Sequence, residues 1–187
     1  MKSTGSQHVG ISLKELKNGM CGIEPARGET FAHAASVCLE DRKHVTGVLM
    51  HVGGSMKRKF KRKLPVKLPV FWESIDEQVR RSWADLEEAT EHGAYGIAAL
   101  LIVRLTDLTV VQRAKKGKGF DYWLGPKNGD QVLFQDTARL EVSGILDGDK
   151  YDIEQRVKEK CIQVKPGLPG FVVIVEFGRP EARMVTK

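Results

Sequence analysis

Apolar positions along the chain fall into stretches of two different periods. Phe31, Ala34, Ala35, Cys38 and Leu39 recur at helical spacing and predict a short amphipathic helix over 29–40. β-Branched Val45, Thr46, Val48 and Val52 predict a strand over 44–52, and Gly53-Gly54 predicts the turn that closes it. Pro65 and Pro69, in LPVKLPV, predict an extended exit near a sheet edge or a linker. Upstream, residues 1–25 carry only scattered Ile11, Leu13 and Leu16 among Gly, Ser, Lys and Asn, so a loose lead-in with one short turn of structure is expected.

The longest predicted helix opens on a capping box with Ser74 as N-cap and Glu77 three residues on, and runs to Leu105. Ile75, Val79, Trp83, Leu86, Ile97 and Leu101 keep one face apolar, and Gly93 and Gly96 are points where it would kink or break. Leu108–Arg113 reads as a strand, KKGKG as a turn, and Phe120–Leu124 as a second strand. PKNGD turns the chain again into a third strand, Val132–Ile145, with an interruption near Asp136. Tyr151, Ile153, Val157, Cys161 and Val164 return to helical spacing before Pro166-Gly167, and FVVIVEF (171–177) has the continuous apolarity of a strand covered on both faces. The order from Ser74 onward predicts the α/β class: an αβββαβ sandwich with a mixed central sheet over 73–187. Residues 1–72 would add a small N-terminal helix and a β-ribbon.

Length and composition narrow the class further. A chain of 187 residues, 41% hydrophobic and 29% charged, suits one domain with a small appendage and is not a disordered tail. The longest strongly apolar stretch, Ile97–Val103, falls far short of the roughly 20 residues a spanning helix needs, so no membrane partner is expected. No apolar segment follows Lys2 in MKSTGSQHVG, and a cytoplasmic location is expected. Cys21, Cys38 and Cys161 are widely spaced, and His33, His44 and His51 lack paired spacing, which argues against a disulfide framework or a zinc knuckle.

The net charge of +6 is local. Lys57, Arg58, Lys59, Lys61, Arg62 and Lys63, interrupted by Phe60, account for the whole excess of 30 basic over 24 acidic residues. A second group, Arg113, Lys115, Lys116 and Lys118, surrounds the glycines of AKKGKG. Solvated turns would explain either run alone. Two runs, one with an aromatic ring that can stack on a base or pack inward, point to nucleic acid, DNA ahead of RNA.

Along Ala138–Ser143, strand alternation puts Arg139, Glu141 and Ser143 on one face and Ala138, Leu140 and Val142 on the other. A hairpin would bring Asp121 of GFDYWLG close to Glu141, and two carboxylates on neighbouring strands are what a hard cation such as Mg²⁺ (or Mn²⁺) takes. The ordinary structural roles are also open: Asp121 accepting turn amides, Glu141 pairing with Arg139 or a basic neighbour. No Walker A, GxGxxG or GxSxG sequence is present, and Ser143 lacks an identifiable base that would make it a nucleophile.

The predicted αβββαβ order, with Asp121 followed by Glu141-Val142-Ser143, resembles the PD-(D/E)XK, or restriction-endonuclease-like, nuclease superfamily over residues 74 to 180. The resemblance implies that Asp121 and Glu141 bind a metal ion, Mg²⁺ or Mn²⁺, and that a lysine two residues after the glutamate orients or activates the attacking water. Ser143 stands in that lysine's place. Lys116 and Lys118, upstream of Asp121, and Lys160, on the last helix, are candidates for the missing cation. The resemblance also implies a helix glutamate in the metal shell; Glu87 flanks the apolar stripe and is preferred to Glu88 and Glu91. GKGFDYWLG and ARLEVSGI are also similar to segments of uncharacterised bacterial proteins. Two functions are therefore expected: a metal-dependent nuclease, or a catalytically inactive nuclease-like subunit that binds nucleic acid or docks with a protein partner or a second copy.

Overall fold

In the computed structural model, which describes residues 10–56, 64–127, 138–165 and 167–187, eight strands form one mixed sheet accompanied by five helices, of which α4 and α5 lie against the strands. In chain order these are β1 (Ile11–Ser12), α1 (Lys14–Lys17), α2 (Pro25–Asp41), β2 (Val48–Ser55), β3 (Val66–Phe71), α3 (Glu77–Ser82) and α4 (Leu86–Leu105). There follow β4 (Leu108–Arg113), β5 (Tyr122–Pro126), β6 (Ala138–Ile145), α5 (Lys150–Gln163), β7 (Gly170–Glu176) and β8 (Glu181–Thr186). The strand order is β1-β3-β2-β8-β7-β6-β5-β4. β1–β3, β2–β8 and β6–β7 are parallel, and the other neighbours are antiparallel.

β7 is buried along its whole length, as its unbroken apolarity predicts. Alternate residues serve two layers. Phe171, Val173 and Val175 join the main core, which includes side chains of α2 and α4, whereas Val172 and Ile174 pack with Ile153 and Val164 of the α5 region. β6 divides in the same way, with Ala138, Leu140 and Val142 in the main core. The strands of residues 1–72 belong to the same sheet and the same core as those of the remainder.

Several boundaries differ from expectation. The lead-in is structured: β1 and α1 form there, and Ile11, Leu13, Leu16 and Ile23 are buried. Gly53 and Gly54 lie inside β2 and not in a turn. Gly54 has φ +121°, and a Cβ there would collide with the Met184 carbonyl of β8, so the pair serves a close strand approach.

The single helix expected from Ser74 is two helices, because two aspartates cap separate starts. Asp76, and not Ser74, accepts from the Val79 amide at 2.8 Å to open α3; Asp85 Oδ1 accepts from Glu87 and Glu88 at 2.9 and 3.3 Å to open α4. Gly93 and Gly96 do not break α4. They face α2 and α1: a Cβ at Gly93 would lie 2.8 Å from Ala35 Cα, and one at Gly96 2.9 Å from Leu16 Cδ1. The second strand of the hairpin starts at Tyr122, not Phe120, and β8 is an element that the hydrophobic pattern does not predict. The 132–137 part of the third predicted strand and most of the PKNGD turn lie outside the described residues, as does the whole basic run 57–63. Among the described residues, no helix is long and apolar enough to cross a membrane.

Candidate active site

A cleft of about 1020 Å³ opens between the first half of α4, the β4–β5 loop, the far half of β6 and the side of α5. β5 pairs with β6 only as far as Tyr122–Leu140, so beyond that point the two strands part and the edge of β6 is free to line a cavity. Asp121 sits at this fork. Its amide donates to the Leu140 carbonyl, and its Oδ2 accepts from the Val142 amide, both at 2.8 Å. That second bond takes the place of the next ladder rung and sets the carboxylate beside Glu141.

Oδ1 of Asp121 is held from the other side. The Tyr95 hydroxyl lies 3.2 Å away and Arg113 Nη1 3.4 Å away. The Tyr95 hydroxyl, with one proton to give, lies closer to Glu91 at 2.7 Å and accepts from Arg113 at 3.3 Å, and the Arg113 guanidinium lies 4.6 Å from the centres of both the Tyr95 and Tyr122 rings. Burial raises the Tyr95 pKa, against the opposing pull of Arg113, so the phenol keeps its proton and can donate.

Glu141 is only 5% exposed. Burial pushes its carboxyl up to about 7; the charge of Asp121, and a hydrogen bond shared with it, push the same way, while the Lys160 ammonium opposes them. Lys160 reaches Glu141 from α5, with Nζ 2.6 Å from Oε1. One helical turn earlier, Arg156 donates from Nη1 to Ser143 Oγ at 2.7 Å. Arg139 does not pair with Glu141: it turns to the carbonyls of Lys165 and Leu168.

Of the expected site residues, Asp121, Glu141, Glu87 and Lys116 all line the cleft, whereas Lys118 is not among its lining residues. Glu91 lines it as well, tied to Asp121 through Tyr95. Among the described residues, no three His, Cys, Asp or Glu side chains converge into one metal-holding group. Asp121 and Glu141 supply two hard oxygen donors pressed together in a partly buried place, a set that fits Mg²⁺ or Mn²⁺ with water and substrate oxygens filling the remaining positions. Sequence reasoning missed the parts played by Tyr95 and Arg156. The spacing of Glu91 to Tyr95 and of Arg156 to Lys160, four residues in each case, is the signal that would have put each pair on one helix face. Compared with protein-family models, curated proteins and solved structures, the chain matches none.

Proposed function

We propose that the protein is a metal-dependent nuclease with a restriction-endonuclease-like αβββαβ core, in which Lys160 takes the part left empty by Ser143. The observation that carries this reading is the contact of Lys160 Nζ with Glu141 Oε1 at 2.6 Å, beside Asp121 in the cleft. An ammonium delivered from α5 arrives at the same carboxylate that a lysine on the strand would serve. The element order α4-β4-β5-β6-α5-β7 supports the same core.

Asp121 and Glu141 would hold the divalent cation, which supplies charge neutralisation at the phosphate and acidification of water. Arg113 and the Val142 amide fix Asp121 in one orientation, so its lone pairs are set before substrate arrives. Lys160 holds Glu141 and can donate to a water or to the charge that develops on the phosphate. Arg113, Lys115, Lys116 and Arg156 rim the cleft and favour a polyanion there. The run Lys57–Lys63 would add phosphate contacts that raise affinity without reading sequence.

The test is cleavage of single-stranded DNA, duplex DNA and RNA in Mg²⁺ and Mn²⁺, with Asp121→Asn, Glu141→Gln and Lys160→Met. Each variant should lose at least a hundredfold in rate, in the range of a lost general acid–base or charge-stabilising group. Returning the lysine to the strand, in the double variant Ser143→Lys with Lys160→Met, should recover part of the activity. Wild-type protein that binds nucleic acid and cleaves none of these substrates would favour the inactive, nucleic-acid-binding subunit.

A further inference from the structure

Along the cleft, α5 and β6 run in opposite directions and carry polar side chains in matching steps. Two residues of strand separate Glu141 from Ser143, about 6.6 Å. Four residues of helix separate Lys160 from Arg156, about 6 Å. Because the steps agree, the Lys160–Glu141 contact at 2.6 Å is followed, one rung along, by the Arg156–Ser143 contact at 2.7 Å.

The two rungs differ in what they leave free. In the first, a carboxylate answers the cation. In the second, the cation meets only a neutral hydroxyl, and its ion pair among the described residues is with Glu159, 3.5 Å from Nε along the same helix. The Arg156 side chain is 41% exposed and lines the cleft. A guanidinium has five donors in a planar fork that suits two phosphate oxygens at once, and the Ser143 hydroxyl occupies only one of them. Ser143 at Nη1 and Glu159 beside Nε thus orient an arginine that lines the cleft. The rung spacing is close to the separation of neighbouring phosphates along a nucleic-acid strand.

We infer that Arg156, oriented by Ser143, binds the phosphate next to the one presented to Glu141 and Lys160, so that the cleft takes a polynucleotide strand running along the groove between β6 and α5. The inference rests on the reading of the cleft as a nucleic-acid site. It assigns Arg156 a binding role and Ser143 a positioning role.

The experiment measures binding and cleavage separately. Affinity for a fluorescein-labelled single-stranded oligonucleotide is followed by anisotropy in Ca²⁺ across a salt series, and cleavage of the same strand is followed in Mg²⁺. Arg156→Gln should weaken binding by about tenfold, the scale of one charge-assisted hydrogen bond, and lower the salt slope by about 0.7, one single-strand phosphate. In the cleavage assay KM should rise by a similar factor. Ser143→Ala should give a smaller loss of affinity with the salt slope retained, because the charge remains and only its aim is lost. Unchanged affinity and slope in Arg156→Gln, with Lys160→Met still abolishing cleavage, would overturn this inference and leave the nuclease reading intact. Binding that depends on Arg156 in a wild-type protein that cleaves nothing would support it and overturn the nuclease reading. No binding by the wild type would overturn both.

Discussion

The Asp121 carboxylate accepts the amide proton of Val142, the residue between Glu141 and Ser143, at 2.8 Å. One side chain just ahead of β5 therefore fixes the backbone on which the second acid and the serine are mounted. It also holds two carboxylates together where water has limited access, and Lys160 and Asp121 act on Glu141 with opposite sign.

These opposing influences can be separated by titration. Asp121→Asn should lower the Glu141 pKa from about 7, though not to the ordinary range of about 4.3, since burial is the larger cause and remains. Lys160→Met should raise it. Carboxyl ¹³C NMR titration of the two variants checks both directions; shifts of the same sign would disprove the arrangement.

Stability should depend on pH through the same group. The folded protein holds a proton on Glu141 up to about 7, while the unfolded chain releases it near 4.3. The native state therefore binds more protons across that window, and stability should fall as pH rises from about 4.3 to about 7, by on the order of 1–3 kcal/mol from this group. Glu141→Gln, which carries no charge at any pH, should flatten the fall. Urea midpoints at pH 5 and pH 8 are the measurement, and an equal drop in both proteins refutes the claim. Mg²⁺ should protect the wild type more at pH 8 than at pH 5, because the cation competes with that proton.

A third expectation concerns the packing of α2 against α4. Gly93→Ala would improve an isolated helix by about 1 kcal/mol. In the protein it should destabilise by about 1–3 kcal/mol, because the new methyl would lie 2.8 Å from Ala35 Cα and 3.1 Å from Phe177 Cζ, against a packed layer with little room to yield. Equilibrium denaturation decides between the two signs.

For the basic run, replacing Lys57, Arg58, Lys59, Lys61, Arg62 and Lys63 by neutral residues should weaken nucleic-acid binding and flatten its salt dependence, by about 0.9 in slope for each duplex phosphate that the run neutralises. Cleavage chemistry measured at saturating substrate should persist. Affinity that is unchanged at matched ionic strength would make the run a solubility feature.

Readable in the sequence were those parts governed by local period. Alternation in Ala138–Ser143 put Glu141 and Ser143 on one face, the face α5 covers, and Leu108–Arg113 coincides with β4. Where burial depends on distant partners, the signal is weak. Ile11, Leu13 and Leu16 look sparse among polar neighbours, yet each meets the main core. β8 turns only Ala182 and Met184 inward and shows Glu181 and Arg183 on its other face, so nothing in its six residues marks it as a central strand. Lys160 could be named only as one of several lysines: the step that selects it is the matched rise of α5 and β6, a property of two elements and not of either alone.

β8 lies between β2 and β7 and, among the described strands, joins the β1-β3-β2 half of the sheet to the half that carries the cleft. During synthesis on the ribosome, the three early strands emerge long before the strand that ties them in, and until then β2 presents a bare backbone edge. An unpaired edge of this kind can recruit other chains until its pairing strand arrives. The slow event in its maturation should be the late closure of β2 against β8, a pairing between segments remote in sequence, and not the assembly of the cleft.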